Sequence, residues 1–253
     1  MEILRTDIKG RLIGKKIMYN KLTIQESQSK KIYFVSDLHF CHDRPFILEK
    51  RGFKTIQEHD ETLIERWNKK VRPSDIVINC GDFILGAGQK SQEKFYELIN
   101  RLNGRHIYLW GNHNGGLKPA YQKLIQEKYG NKVEEVYPLS IPTKYGSFEY
   151  RGYNLLVKVV KDSPKMMEQS RYLFCSHFAH RLWIDSHKGR VWHISGHSHG
   201  SDPESQPESS KLRLDVGIEN FGEPIGLEEV EKVFENKRLE VVDHHDKSTN
   251  PSF

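Results

Sequence analysis

Five short apolar stretches stand out along the chain, and each ends in an aspartate or a histidine. They are rich in Ile, Val, Tyr, Phe and Trp, and this composition and length are typical of buried or half-buried strands. They cover residues 31–37, 75–82, 105–113, 171–177 and 191–199. Because ligands collect beyond the carboxyl ends of strands in layered α/β folds, the polar ends of these stretches are candidate site residues.

Helical periodicity occupies several of the intervals between the predicted strands. Apolar residues recur four apart across 63–71 and at i, i+3, i+4 and i+7 across 95–102, so each set lies on one helix face. Residues 118–130 and 226–237 predict two further helices, and the alternating stretch 144–160 predicts a hairpin. Strands that alternate with helices indicate an α/β core built in layers.

Composition excludes several classes of protein. A hydrophobic fraction of 36% and a charged fraction of 29% are typical of a soluble globular chain. No apolar run approaches the roughly 18 residues of a membrane span, and the first residues lack the apolar core of a secretory signal. Cys41, Cys80 and Cys175 form no C-x-x-C pair, so we expect reduced thiols and a cytoplasmic location without membrane association.

The net charge of +5 is concentrated at one end of the chain. Residues 1–31 hold 8 Lys or Arg and 3 Asp or Glu, and the remainder carries equal numbers of basic and acidic side chains. Two interpretations stay open: a basic arm that binds a polyanion such as nucleic acid, or a solvated Lys-rich hairpin. We expect a basic N-terminal extension or hairpin over 1–30, one domain over 31–242 and a flexible tail over 243–253.

The five strand ends together supply a set of carboxylate, amide and imidazole groups. In order they are Asp37, His39, Asp82, Asn112, His113, His177, His197 and His199. Each motif is short enough to occur by chance, but chance does not explain all five at strand ends. Residues two apart on a strand point to the same side, so Asp37/His39 and His197/His199 are expected to act as pairs. Mixed carboxylate and imidazole ligands suit Zn²⁺, Mn²⁺ or iron rather than Ca²⁺.

The order D-x-H, G-D, G-N-H, H, G-H-x-H resembles the motif pattern of the calcineurin-like metallophosphoesterases. A narrower likeness to compact bacterial and phage members comes from "SDLHF", "RPF" at 44–46 and "LDVGIE" at 214–219, and the resemblance covers about residues 31–230. It implies an α/β fold, classed as α+β in some schemes, in which two mixed β-sheets pack as a sandwich with flanking helices.

The resemblance also implies a site for two divalent metal ions. One ion would be held by Asp37, His39 and His199, the other by Asn112, His177 and His197, with Asp82 bridging them. Mn²⁺ is expected to serve best in vitro, with Zn²⁺, iron, Ni²⁺ or Mg²⁺ as alternatives. Two such ions would lower the pKa of a shared water towards neutrality, and the hydroxide would attack phosphorus. His113 would protonate the leaving oxygen.

One residue departs from the family pattern. Where members usually have Asp or Glu after the motif histidine, this chain has Asn114. An amide can orient an imidazole but brings no full charge to raise its basicity. We therefore expect a weaker or differently oriented acid at His113.

Other polar residues near the motifs are weaker candidates. Arg44, His180 and Arg181 follow the ligand motifs closely and are candidate contacts for a substrate phosphate, Arg being suited to bidentate contact. Surface or ion-pair roles are equally compatible with their positions. For His42 and His193 a structural role is the preferred interpretation.

The predicted function is hydrolysis of a phosphate ester by two metals, with a phosphodiester preferred and a nucleotide or nucleic acid as a candidate substrate. A phosphomonoesterase and a nucleotide pyrophosphohydrolase are alternatives that would use the same ligands, because fold and metals do not fix the organic group. A scaffold that only binds another protein is the remaining alternative. It is disfavoured because every ligand position and His113 are present.

Overall fold

Two β-sheets stacked face to face form the centre of the protein in the computed structural model. The structure describes residues 5–6, 12–13, 20–86, 89–114, 117–130, 137–161 and 170–239. Within these ranges the strands are β1 (Arg5–Thr6), β2 (Leu12–Ile13), β3 (Asn20–Glu26), β4 (Ile32–Val35), β5 (Ile76–Asn79), β6 (Arg105–Tyr108), β7 (Leu139–Thr143), β8 (Gly146–Tyr150), β9 (Asn154–Lys161), β10 (Ser170–Ser176), β11 (Val191–Ser195), β12 (Arg213–Asp215) and β13 (Ile225–Gly226). The helices are α1 (Pro45–Arg51), α2 (Ile56–Lys70), α3 (Gln89–Arg101), α4 (Leu117–Tyr129), α5 (Ile218–Phe221) and α6 (Leu227–Glu235), with a 3₁₀ turn at Ser186–Lys188.

The first sheet has the strand order β13-β4-β5-β6-β8-β7. Strands β4, β5, β6 and β8 are parallel, and the two edge strands β13 and β7 run antiparallel to their neighbours. The register aligns Val35 with Asn79 and Asn79 with Tyr108, so β4, β5 and β6 end level with one another. The loops that follow these three strands therefore leave the sheet at one edge.

The second sheet has the order β12-β11-β10-β9-β3. Strands β10, β11 and β12 are parallel, β9 runs antiparallel to β10, and β3 is parallel to β9. Both sheets are thus mixed. The confirmed fold is a sandwich of two mixed sheets with flanking helices, and all five predicted sequence stretches contain a strand of one sheet or the other.

Two apolar layers hold this arrangement together. One lies between the sheets, where Ile78 and Ile107 of the first sheet share a cluster with Val157 and Ile194 of the second. The other lies between the first sheet and helices α2, α3 and α4, and it contains Trp67 and Phe95. Because both faces of the first sheet are covered, its central strands are apolar on both sides. The four predicted helices correspond to α2, α3, α4 and α6, and α6 places Leu227, Val230 and Phe234 in the layer between the sheets.

The hairpin predicted over 144–160 is wrong. Its two strands lie in different sheets: β8 pairs with β6 and β7, whereas β9 pairs with β10 and β3. Phe148 belongs to the layer beneath the helices, while Leu155 and Val157 belong to the layer between the sheets. The chain crosses between sheets at Gly152, whose φ of +82° is a conformation that favours glycine. The true hairpin is β7–β8.

The N-terminal segment contributes more than an extension. Residues 20–26 form β3, an edge strand of the second sheet that aligns Ile24 with Val159, and residues 5–6 pair with 12–13. The tail predicted over 243–253 lies outside the described residues. None of the helices in the described ranges has the length and apolar character needed to cross a membrane. All three cysteines are free thiols.

Phe148 provides a test of the layer between the first sheet and the helices. Its ring is fully buried and lies 5.1 to 5.7 Å from the rings of Phe83, Phe95, Tyr108 and Tyr150. We expect Phe148→Ala to lower the free energy of unfolding by about 3–5 kcal/mol, because it leaves a cavity among packed rings. Urea unfolding measures the loss, with exposed Tyr129→Ala as the control. A loss below about 1 kcal/mol would show that this layer is not tightly packed.

Candidate metal centre

The motif residues lie just beyond the strands and not within them. Strand β4 ends at Val35 and β11 at Ser195, so the expectation that strand periodicity pairs the ligands is wrong. Instead, both residues of each pair have a left-handed backbone conformation. The residues with positive φ in this set are Asp37, His39, Asp82, His197 and His199, with φ of 58°, 51°, 55°, 70° and 49°. Such conformations cost of order 1–3 kcal/mol each in non-glycine residues and cluster at functional sites.

Motif glycines allow the loops to approach one another this closely. A Cβ atom at Gly111 would overlap the carboxylate of Asp82, and one at Gly196 would overlap Ser36 and crowd the carboxylate of Asp37. The Asp82 carboxylate in turn accepts a hydrogen bond from the backbone N–H of His113 at 2.8 Å. The G-N-H and G-H-x-H motifs therefore need glycine for steric reasons as well as for their turns.

Asp37, His39 and His199 form the first ligand group. The Nε2 atoms of the two histidines lie 3.2 Å apart, and Oδ1 of Asp37 lies 4.0 Å from Nε2 of His39 and 3.9 Å from Nε2 of His199. Oδ1 of Asp37 is buried and has no hydrogen-bond partner among the described residues. A buried carboxylate oxygen without a partner is costly, and a cation at the centre of this group would satisfy it.

Asp82, His177 and Asn112 form the second group. Oδ2 of Asp82 lies 3.5 Å from Nε2 of His177 and 3.6 Å from Nε2 of His39. This atom is therefore almost equally distant from the two groups, as a carboxylate that bridges two ions has to be. Oδ1 of Asn112 lies 2.8 Å from Nε2 of His177.

The tautomer of His177 shows that a cation suits this second group. Nδ1 of His177 donates to the carbonyl oxygen of Cys80 at 2.9 Å, so the neutral ring presents a lone pair at Nε2. Burial lowers the pKa of His177 to about 4, which keeps the ring neutral at pH 7. Nε2 and the amide oxygen of Asn112 are then two acceptors facing each other without a proton between them. Nε2 of His177 and Oδ1 of Asn112 would both donate lone pairs to a metal ion held between them.

Burial also opposes charge on the two aspartates. It raises the pKa of Asp37 to about 8 and that of Asp82 to about 6, and it lowers the pKa of His39. A divalent cation in contact with these groups reverses the balance, because it stabilises carboxylate and neutral imidazole together. The donor set of oxygen and imidazole nitrogen suits Mn²⁺, Zn²⁺ and iron.

His197 is the most exposed of the histidines predicted as ligands. Its ring centroid lies 5.1 Å from that of His177, and its backbone N–H donates to Oδ2 of Asp37 at 2.9 Å. The structure thus places His197 beside the second group. All seven predicted ligands lie around one centre at the edge of the sandwich.

Comparison with known protein families matches residues 30–244 to the calcineurin-like phosphoesterases. The chain belongs to this family. Members typically use a binuclear divalent metal site, and this chain has candidate ligands for one. The family and the ligand cluster together support a metal-dependent phosphoesterase.

The chain is also similar to individual proteins. The chain is 27% identical over 214 residues to MJ1445, an uncharacterized protein of Methanocaldococcus jannaschii, which covers 83% of this chain and 94% of the relative. It is 36% identical over 84 residues to the Gene 66 protein of Mycobacterium phage L5, covering 33% of this chain and 39% of the phage protein. A crystal structure of AQ665, a protein of unknown function from Aquifex aeolicus, gives a TM-score of 0.47 at 18% identity over 81% of this chain and 99% of that one.

Arg51 and Glu219 of this phosphoesterase support the first ligand group, and sequence reasoning assigned neither a role. Nδ1 of His199 donates to Oε1 of Glu219 at 2.6 Å, and Arg51 donates to the same oxygen from Nη2 at 2.6 Å. Arg51 also donates to the carbonyl oxygens of Asp37 at 2.6 Å and Leu38 at 2.9 Å. It therefore fixes the D-x-H loop and the His199 ring at once. Glu219 ends the "LDVGIE" stretch, which was the only sequence signal.

The charges in this support are strongly coupled. Burial is the largest influence on the pKa of His199 and lowers it, but the hydrogen bond to Glu219 and the charges of Glu219 and Asp37 together outweigh burial and raise this pKa. The same bond, together with Arg51, lowers the pKa of Glu219 to about 2. Glu219 thus stays ionised and holds the His199 ring with Nδ1 outward and Nε2 towards the centre, as carboxylate partners of metal-bound histidines do.

Asn114 acts on the backbone of its own loop. Its Oδ1 accepts from the N–H of Gly111 at 3.1 Å and from the hydroxyl of Tyr108 at 3.3 Å, and its Nδ2 donates to the Gly111 carbonyl at 2.7 Å. The weaker or differently oriented acid expected at His113 stays a prediction, because these bonds all run to the loop and to Tyr108 and not to the His113 ring. Asn114 instead closes the turn that presents Asn112 and His113.

His113 itself is exposed and borders the first group. Its ring centroid lies 5.5 Å from that of His39 and 6.1 Å from that of His42. His42 is more closely involved than its structural interpretation suggested, because its Nδ1 lies 3.2 Å from Nδ1 of His39. Burial lowers the pKa of His42 to about 4, so the ring is neutral in its contact with His39.

The candidate phosphate contacts are only partly near this centre. Arg44 precedes α1 and its backbone N–H donates to the carbonyl of His42, so it lies at the rim. His180 packs against Phe174 and His193, with ring centroids 5.4 and 5.5 Å away. Arg181 lines a cavity of about 350 Å³. Other residues of that cavity include Trp183, Lys211 and Arg213. His193 is buried and donates to Phe174, which agrees with a structural role.

Replacing Glu219 tests the support of the first ligand group. We expect Glu219→Gln to weaken metal binding about 10- to 100-fold, because partners of metal-bound histidines contribute that much to affinity. Competition between the protein and a chelating dye for Zn²⁺ or Mn²⁺ measures the change. Glu228→Gln is the matched control, since Glu228 pairs with Lys31 at the surface. Equal affinities of the two variants would contradict the role of Glu219.

Proposed function

We propose that this phosphoesterase is a phosphodiesterase that uses two metal ions. The observation that supports it is the position of Asp82, whose Oδ2 lies 3.5 and 3.6 Å from histidines of two different ligand groups. Asp37, His39 and His199 would hold one ion, Asn112, His177 and His197 the other, and Asp82 both. Two cations side by side need such a shared anion to offset their repulsion.

Each ion, when bound, supplies a Lewis acid for the phosphoryl oxygens and acidifies a water. The chain's own residues have separate tasks around that chemistry. Asn112 provides a neutral oxygen, which limits the negative charge that would repel a phosphate. His113 is exposed beside the first group and is the proposed acid that gives a proton to the leaving oxygen. Arg44 at the rim is a candidate contact for the phosphate.

Exposure of the centre favours a diester over a monoester. Asn112, His113 and His197 are exposed, so the phosphate approaches an open face and both of its ester groups have room. A monoester or a nucleotide pyrophosphate remains an alternative on the same ligands. Retention of every ligand and of His113 argues against a scaffold without activity.

Mn²⁺ is the ion we propose for activity in vitro, with Zn²⁺, iron, Ni²⁺ and Mg²⁺ as alternatives that oxygen and imidazole donors accept. Free thiols at Cys41, Cys80 and Cys175 support a reducing compartment such as the cytoplasm. The basic residues within 1–31 support contact with a nucleic acid. The domain expected over 31–242 is proposed to include β3 as well, because residues 20–26 form an edge strand of its second sheet.

Two variants separate metal binding from proton transfer. We expect Asp82→Asn to bind fewer than two ions and to lose activity, because the bridging charge is gone. We expect His113→Ala to keep both ions and to lose about 10²- to 10⁴-fold in kcat, because only the acid is removed. Metal analysis and hydrolysis of bis(p-nitrophenyl) phosphate and p-nitrophenyl phosphate, with Mn²⁺, Zn²⁺, Mg²⁺ or chelator, give both readouts.

The outcomes distinguish the candidate functions. Faster hydrolysis of the monoester than of the diester would contradict the proposed phosphodiesterase activity and favour a phosphomonoesterase. Full activity in chelator, or in Asp82→Asn, would contradict the two-metal proposal. Fewer than about one ion per chain after reconstitution, with no hydrolysis, would favour the scaffold.

A further inference from the structure

Two exposed phenylalanines lie beside the metal centre. Phe46 is 65% exposed and Phe178 is 49% exposed. Single exposed apolar residues are ordinary on protein surfaces, so exposure alone has no meaning. The positions of these two rings relative to the ligand groups are what distinguish them.

Phe178 follows the ligand His177 directly and borders the second group. Its ring centroid lies 4.5 Å from that of His197 and 5.0 Å from that of His177, at interplanar angles of 60° and 75°. The ring thus stands edge-on to the ligand histidines. Half of its surface remains open to solvent next to the proposed position of the second ion.

Phe46 lies near the first ligand group, through His42. Its ring lies 5.6 Å from that of His42 at 88°, and His42 in turn contacts His39 of the first group and neighbours His113. Phe46 is the second residue of α1, whose N-cap is the exposed Arg44. Each ligand group therefore has one exposed aromatic ring at its border.

We propose that Phe46 and Phe178 are stacking platforms for two bases that flank the scissile phosphate, so that the substrate is a single-stranded oligonucleotide or dinucleotide. This inference rests on the proposed phosphodiesterase activity. A phosphodiester carries one group on each side of phosphorus, and the structure has one exposed aromatic ring near each of the two ligand groups. Every base has a π-face, so aromatic rings stack on single strands with little sequence preference.

Duplex DNA would not use these platforms, because its bases are already stacked on one another. An aliphatic diester has no aromatic face and would therefore bind the two rings only weakly. The platforms therefore select unpaired bases, while the metals and His113 act on the phosphate alone. Base identity is expected to matter little, since neither ring offers a hydrogen bond.

A pair of substrates that differ only in their bases tests the inference. The dinucleotide ApA and its analogue without bases share the scissile phosphate, so their kcat/KM values separate stacking from chemistry. We expect Phe46→Leu and Phe178→Leu each to lower kcat/KM for ApA about 5- to 30-fold. Hydrolysis of the analogue should be unchanged in both. Tyr129→Leu, an exposed aromatic at the end of α4, is the matched control.

Binding gives a readout that does not depend on turnover. The phenylalanine variants are made in the His113→Ala protein and studied with Mn²⁺. Fluorescence anisotropy of a labelled eight-nucleotide oligothymidylate should show that each variant raises the Kd about 5- to 30-fold. Equal affinities of the variants and the control, or tighter binding of a duplex of the same length, would overturn the inference. If neither ApA nor the analogue without bases were hydrolysed, the proposed phosphodiesterase activity would be contradicted. The binding measurements would then still show whether Phe46 and Phe178 stack on bases.

Discussion

Two carboxylates buried among imidazole rings are the constraint on which the rest of this structure depends. Asp37 and Asp82 are almost completely removed from water, and burial raises the pKa of both. Oδ1 of Asp37 has no hydrogen-bond partner among the described residues, and the neutral His177 faces an amide oxygen. Burying such groups without compensation is unfavourable. Divalent cations at the centre would compensate these groups, and the fold already holds the candidate ligands close together.

Strand ends, backbone turns and hydrogen bonds hold the residues of this centre in place. Parallel strands that end level with one another deliver the motif loops to one edge, and left-handed backbone turns the ligands inward. Arg51 then binds the D-x-H loop and, through Glu219, the His199 ring. Local strain of this kind persists only where neighbouring structure determines it. Helices α2 to α4 and the second sheet supply that support through two apolar layers.

Membership of the calcineurin-like phosphoesterases and the open face of the centre divide the functional question into two parts. The ligands decide the reaction class, since metals and carboxylates act on phosphorus whatever is attached to it. The rim decides the substrate, and there the chain has its own features, Phe46, Phe178 and Arg44. Fold and metal ligands recur across many substrates, so differences at the rim are where specificity is expected.

Sequence by itself predicted the five strands that lead to the centre, four of the six helices in the described ranges, and a set of candidate ligands that the structure brings together. Buried strands and metal-binding motifs both leave periodic or motif signals in neighbouring residues. It did not determine that residues 144–160 divide between two sheets. Apolar and polar residues alternate in the same way along the strands of a hairpin and along two strands of different sheets. Nor did it reveal that Asn114 binds its own loop or that Arg51 and Glu219 support His199. These contacts join residues far apart in the chain: Arg51 and Glu219 are 168 positions apart. Only the tertiary structure decides them, because packing and not local pattern brings such side chains together.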